Sequence, residues 1–256
     1  LLLSFPLWSH AQSDEMIAFR NGDLVVWSLS NNVPEQITFW GFNGGGILSP
    51  DGTQIAFNSW DGAVGEAIQA EELYPEFGDL PSNIWVMDIA TREFQWINDQ
   101  SEAAPDAGIV RSYPVWSPDG TQLAWTELNE FPNTTIKIYD FATDEISTLA
   151  QGFSLGYQDA GLIMPKIKWG DGGISRILFN IVGEDFTGQN TLEVYDPVTG
   201  DVSTVDLTFL DPDGSAFMSH HWVNDGGTDV LAVQVDNRWG IVDPQSGSFT
   251  PLTSPP

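Results

Sequence analysis

The sequence predicts an all-β protein assembled from repeats of one four-stranded antiparallel unit. Two observations carry that prediction. The stretch GILSPDGTQIAFNSW from Gly46 and the stretch PVWSPDGTQLAWTEL from Pro114 share S-P-D-G-T-Q, an aliphatic residue, Ala and an aromatic ring. Further along each unit, an Asp is followed three residues later by Thr or Ser, at Asp88/Thr91, Asp140/Thr143, Asp196/Thr199 and Asp243/Ser246. Two independent marks recurring in step indicate tandem repetition.

The unit resolves into strands in order. After Pro114 it reads PVWS, TQLAWTEL, TTIKIYDF and EISTLA. S-P-D-G joins the first pair: Pro118 presets φ and Gly120 supplies the positive φ that closes the hairpin. The Asp-x-x-Thr pattern marks the later hairpin, where a short polar side chain bonds nearby backbone N–H groups. The strands are apolar on both faces, as expected of sheets covered on both sides. Four antiparallel strands in about 40–55 residues make a β-propeller blade. Full units begin near Gly46, Ser112, Met164 and Met218, and a partial one (EMIAFR, DLVVWSL, PEQITF) precedes them without a first strand. The expectation is about five visible blades, the first incomplete, near 14–40, 46–98, 112–150, 164–206 and 218–253.

The motif aliphatic/Trp-S-P-D-G-x-x-[LIV]-A-[FW], followed by a Y-D-x-x-T turn, resembles the TolB-type, WD-like propeller repeat. Similar repeats form the non-catalytic propellers of dipeptidyl-peptidase-type and prolyl-oligopeptidase-type enzymes. The resemblance covers most of 14–253. It is weaker where S-P-D-G becomes Gly170-Asp171-Gly172-Gly173 and Asn224-Asp225-Gly226-Gly227. It implies the fold and leaves function open.

Composition narrows the function classes. Of 256 residues, 36 are Asp or Glu and only 8 are Lys or Arg, for a formal charge of −28. Such a surface repels nucleic acid and anionic membranes, because holding phosphate requires cations. The chain has no Cys, which excludes disulfides, thiolate catalysis and Cys-zinc sites. The opening LLLSFPLWSHA resembles the back half of a signal peptide, with a small-x-small cleavage signature at Ser9-His10-Ala11. That divides the chain into a signal remnant at 1–11 and a propeller at 12–256, secreted, periplasmic or at a cell surface. No other apolar run reaches the ~18 residues of a membrane span.

In a blade the first and third turns lie at one end, and the second turn and the inter-blade connection at the other. The irregular segments 61–83, 98–111, 127–134, 150–163, 183–190 and 207–217 all fall at the second end. Binding groups concentrate on loops held by a rigid scaffold. The ligand-binding candidates are therefore Trp60, Asp61, Glu71, Glu72, Tyr74, Arg111, Glu127, Tyr157, Asp159 and His220. The longest insertion predicts a short helix over 64–74, ended by Pro75.

Three catalytic motifs fail on context. GFSLG at 152–156 matches G-x-S-x-G, but Ser154 lies in an inter-blade loop with no helical pattern after it. His220 and His221 are neighbours on a strand and point to opposite faces, which does not suit one metal. Asp171, Asp211, Asp213, Asp225 and Asp229 lie near Gly-rich turns. They make calcium the best-suited ion, though turn formation accounts for them and no cofactor is required.

The expected function is a non-catalytic, monomeric propeller scaffold, not itself an enzyme, that binds a protein, peptide or glycan through its loop-rich face. The alternative is the propeller domain of a larger serine-peptidase-type enzyme whose catalytic domain lies outside this chain. A third reading, a carbohydrate-active propeller using paired acids, finds no identifiable pair.

Overall fold

The computed structural model describes residues 15–39, 41–60, 81–98, 109–130, 133–153, 157–158, 161–162, 168–169, 177–179, 191–196, 199, 201–209, 218–225, 228–235, 238–243 and 248–252. Among these residues every regular element is a β-strand. The helix expected over 64–74 lies outside them.

Strands pair antiparallel, almost all with their sequence neighbours, in five successive sheets and one two-stranded hairpin. The first holds β1 (Glu15–Arg20), β2 (Asp23–Ser28) and β3 (Val33–Gln36). The second holds β4 (Asn43–Leu48), β5 (Gln54–Trp60), β6 (Ser82–Asp88) and β7 (Phe94–Trp96). In the third, the innermost strand is split into β8 (Val110–Arg111) and β9 (Val115–Trp116). Both pieces pair with β10 (Gln122–Glu130), followed by β11 (Asn133–Asp140) and β12 (Glu145–Phe153). A small hairpin, β13 (Tyr157–Gln158) and β14 (Gly161–Leu162), precedes the fourth sheet. That sheet contains β15 (Lys168–Trp169), β16 (Ile177–Phe179), β17 (Thr191–Asp196) and β18 (Asp201–Asp206). The fifth contains β19 (Met218–Asp225), β20 (Thr228–Val235), β21 (Arg238–Val242) and β22 (Phe249–Leu252). The first sheet lacks an innermost strand among the described residues, as the partial repeat predicts.

The repeated phrase is one turn built twice. Gly52 N–H donates to Ser49 O, and Gly120 N–H to Ser117 O, each at 2.9 Å. Both glycines have φ of +72°. In each turn the Asp Oδ1 accepts from the Ser hydroxyl at 2.6 Å and from the Thr hydroxyl at 2.9 Å. The Ser Oγ accepts the Gln54 or Gln122 N–H at 2.9 Å. Thr91, Thr143 and Thr199 N–H groups donate to Asp88, Asp140 and Asp196 Oδ1 at 2.8, 3.1 and 3.4 Å.

Period-2 alternation decides what each sheet packs against. Ile55, Phe57 and Met87 join Leu24 and Val26 of the first sheet. Their neighbours Ala56, Ile84 and Val86 join Trp116, Leu123, Trp125 and Tyr139 of the third. Ala124, Ile136 and Ile138 of the third sheet meet Tyr195 of the fourth. Val194 and Val205 of the fourth meet Leu231, Val233 and Val242 of the fifth. The core is thus a series of inter-sheet layers, in which each large side chain contributes about 1.5–3 kcal/mol by burial.

Two expected loops hold strand: every described residue of 150–163 is extended, in the end of β12 and in β13 and β14, and 127–134 is the other. Residues 127–134 were expected to be irregular, yet β10 runs to Glu130 and β11 starts at Asn133, with Leu128 paired to Thr134 and Glu130 to Asn133. The Thr134-Thr135-Ile136 run of β-branched residues favours extended backbone, and a register shift between Leu128 and Glu130 absorbs the surplus residue.

Candidate functional site

The second and third sheets carry a buried polar layer at the end opposite the S-P-D-G turns. It arises because the innermost strands slip register there. From their hairpins, Leu48 pairs with Ile55 and Gly46 with Phe57, but Asn43 pairs with Ser59, so Gly44 and Gly45 stand against Asn58 alone. In the third sheet Trp116 pairs with Leu123, whereas Arg111 pairs with Glu127. Uniform counting would set Glu127 opposite Ser112. These are β-bulges, which re-aim side chains next to sites.

The slip brings together two of the sequence candidates. Arg111 is 6% exposed. Its Nε donates to Glu127 Oε1 at 2.7 Å, and its Nη1 to Ser82 O at 2.5 Å in the neighbouring sheet. Trp125 Nε1 donates to the same Glu127 oxygen at 3.1 Å. Arg111 N–H reaches Ser82 Oγ at 3.1 Å, and Asn58 Nδ2 reaches Arg111 O at 3.3 Å. The pair is therefore an inter-sheet clasp. Asn43, at the matching position one sheet earlier, does the same: its Nδ2 donates to Gly22 O at 2.8 Å and to Thr38 Oγ1 at 2.9 Å. Asp23 completes that clasp, accepting from Thr38 Oγ1 at 3.1 Å and from Gly41 N–H at 2.9 Å.

Three buried polar atoms in this layer lack a hydrogen-bond partner among the described residues: Asn58 Oδ1, Asn98 Nδ2 and Thr134 Oγ1. Asn58 is on β5, Thr134 is near the start of β11, and Asn98 follows β7 by two residues. Sequence reasoning missed Asn58, Asn98 and Thr134, and the signal for them is weak. Each is a small polar residue whose burial is a tertiary property.

The other sequence candidates are placed as follows. Trp60 ends β5, half-buried, opposite Ser82, and its N–H donates to Phe42 O at 2.9 Å. Tyr157 sits in the small hairpin opposite Leu162, and His220 lies on β19 opposite Val233. Asp61, Glu71, Glu72, Tyr74, Asp159 and Ser154 lie outside the described residues, as do Asp171, Asp211 and Asp213. Asp225 ends β19 and Asp229 is on β20 opposite Asn224. Among the described residues no group of three or more His, Asp or Glu is placed to hold a metal ion, and no helix is long and apolar enough to cross a membrane.

The turn end has its own electrostatics. The Ser49 hydroxyl holds the Asp51 carboxyl below its usual range, helped by Thr53. Burial pushes Asp119 up, but Ser117 and Thr121 together outweigh it and leave the carboxyl lowered. Tyr139 is pushed up to about 12 by burial and by its hydrogen bond to Asp144.

No protein-family model matches the sequence, and no curated protein matches it either. Solved structures do. An oligogalacturonate lyase in complex with manganese aligns at 16% identity and a TM-score of 0.59, over 91% of this chain and 59% of that one. The β-propeller domain of the Trilobed protease from Pyrococcus furiosus, which has an open velcro topology, aligns at 16% identity and 0.53, over 93% and 66%. A protein assigned as a dipeptidyl aminopeptidase IV from Bacteroides ovatus aligns at 12% identity and 0.52, over 93% and 44%. These likenesses define the fold: a β-propeller, as the repeat indicates. This chain spans less than two thirds of each of these neighbours. They also correct one expectation. The chain was expected not to be an enzyme, yet an enzyme, the lyase, carries this fold over 91% of it. A propeller repeat is therefore no ground for reading a chain as non-enzymatic.

Proposed function

We propose that this chain is the propeller unit of a larger enzyme of the serine-peptidase type. Its loop-rich end receives a protein, peptide or glycan-bearing substrate and presents it to a catalytic unit. The observation that carries this reading is the shared fold, over 93% of the chain, with the propeller of the Trilobed protease and with the Bacteroides ovatus protein. The buried clasps at the same end support it, since they give the loops a stiff base. A monomer outside the cytoplasm is part of the proposal, resting on the signal-like residues 1–11 and the acidic composition.

The test uses the full-length protein. A fluorophosphonate probe is expected to label a serine outside residues 12–256, with hydrolysis of peptide substrates. Absence of both refutes the peptidase reading. A second reading, a saccharide-cleaving enzyme, is favoured by the higher TM-score of the oligogalacturonate lyase, 0.59. Cleavage of oligogalacturonate without a labelled serine selects it.

A further inference from the structure

The Gly44–Gly45 bulge brings three features together. First, the ring of Tyr113 lies across it from the next sheet. A Cβ at Gly45 would sit 3.2–3.3 Å from three atoms of that ring, and one at Gly44 would sit 2.9 Å from its Cε1. Any larger residue at Gly44 would force Asn58 or Tyr113 to move, and one at Gly45 would press on the ring. Second, the same Gly44 position would bring a Cβ to 2.2 Å from Asn58 Oδ1. That oxygen therefore lies at the floor of the bulge. Asn58 is 8% exposed, its Nδ2 is used on Arg111 O, and its Oδ1 has no donor among the described residues. Third, Tyr113 is 61% exposed. A buried acceptor without a donor costs free energy that a native fold rarely leaves uncompensated.

We propose that this bulge is a saccharide subsite, in which Asn58 Oδ1 accepts a sugar hydroxyl and Tyr113 stacks on the sugar's C–H face. The proposal goes beyond the function proposed above and does not depend on it. The Tyr113 ring rests on glycine backbone and swings outward about χ1 to admit the ligand. The floor offers an acceptor and no free cation, because the Arg111 charge nearby is matched by Glu127 at 2.7 Å. That disfavours phosphates and carboxylates, as does the formal charge of −28. The glycine run gives a flat floor beside an aromatic face. A neutral pyranose fits: hydroxyl donors at its rim, an apolar face for the ring. A free oligosaccharide and a protein-borne glycan present the same chemistry.

The experiment is titration of the full-length protein with maltotriose, cellotriose and chitotriose, and with a high-mannose glycopeptide and its unglycosylated form. Calorimetry and saturation-transfer NMR read the binding. At least one saccharide is expected to bind; binding of the glycopeptide but of none of the free trisaccharides identifies the protein-borne source. Tyr113→Ala should weaken binding about tenfold, while Tyr113→Phe, which keeps the ring, should stay within about twofold. Gly44→Ala, which places a methyl on Asn58 Oδ1, should abolish binding. Binding by no saccharide overturns the proposal. So does unchanged affinity in Tyr113→Ala, equal binding of the unglycosylated peptide, or a complex with water on Asn58 Oδ1 and the sugar elsewhere. None of these readouts requires catalysis, so failure here leaves the peptidase test untouched.

Discussion

Removing the Arg111 guanidinium probes the inter-sheet clasp directly. In Arg111→Met the aliphatic stem is kept and the charge is lost. Glu127, whose side chain is 12% exposed, then keeps only the Trp125 Nε1 bond at 3.1 Å, and Ser82 O loses its 2.5 Å donor. One buried charge is left without its partner, and the Ser82 carbonyl loses its bond from the guanidinium. Breaking a buried pair from one side costs about 3–5 kcal/mol. That is a large share of the ~5–15 kcal/mol that holds a domain together. Removing both charges in Arg111→Met/Glu127→Leu leaves no uncompensated ion, so the double variant should recover about 2–3 kcal/mol relative to the sum of the single changes. Urea unfolding followed by tryptophan fluorescence reads the stability, since Trp125 donates to Glu127 itself. Single variants costing under about 1 kcal/mol, as exposed pairs do, would refute the burial argument. Strict additivity would refute the pairing.

Other outcomes follow from the turns and from Tyr139. Gly52→Ala places a methyl in open space, so its cost is that of φ +72° alone, about 1–2 kcal/mol, and Gly120→Ala, whose nearest atom is Pro50 Cδ at 3.5 Å, should match it in thermal unfolding. Asp51 has a lowered folded pKa, so its stabilisation is complete above the unfolded value near 3.8 and is lost as pH falls through the folded value. Ser49→Ala should shift that acid loss to higher pH in a pH series of unfolding curves. Tyr139 titrates higher when folded, at about 12 against 10.0, so its contribution is intact below pH 10 and disappears as pH rises toward 12. Tyr139→Phe should flatten that alkaline limb, while an unchanged limb would show that the bond to Asp144 does not set it.

The local chemistry that the repeat obliges is written in the sequence. Ser49, Asp51, Gly52 and Thr53 recur as Ser117, Asp119, Gly120 and Thr121 because each satisfies a neighbour only a few residues away. Such bonds depend on spacing alone, so strand order and turn type were legible, and with them the antiparallel sheets. The alternation of Ile55 and Phe57 against Ala56 was equally legible as two apolar faces, though not which sheet each face would meet. At the other end of the strands, long-range packing sets the arrangement. Arg111 and Glu127 were each readable as loop-face groups, but their pairing follows from a one-residue slip in the innermost strand. The place of Asn58 beneath Tyr113 follows from the same kind of slip at Gly44–Gly45. A shift of one residue moves every later side chain to the opposite partner. Whether a strand slips is set by how its end packs on the neighbouring sheet, through contacts between residues far apart in the chain, and pattern and spacing do not carry that information.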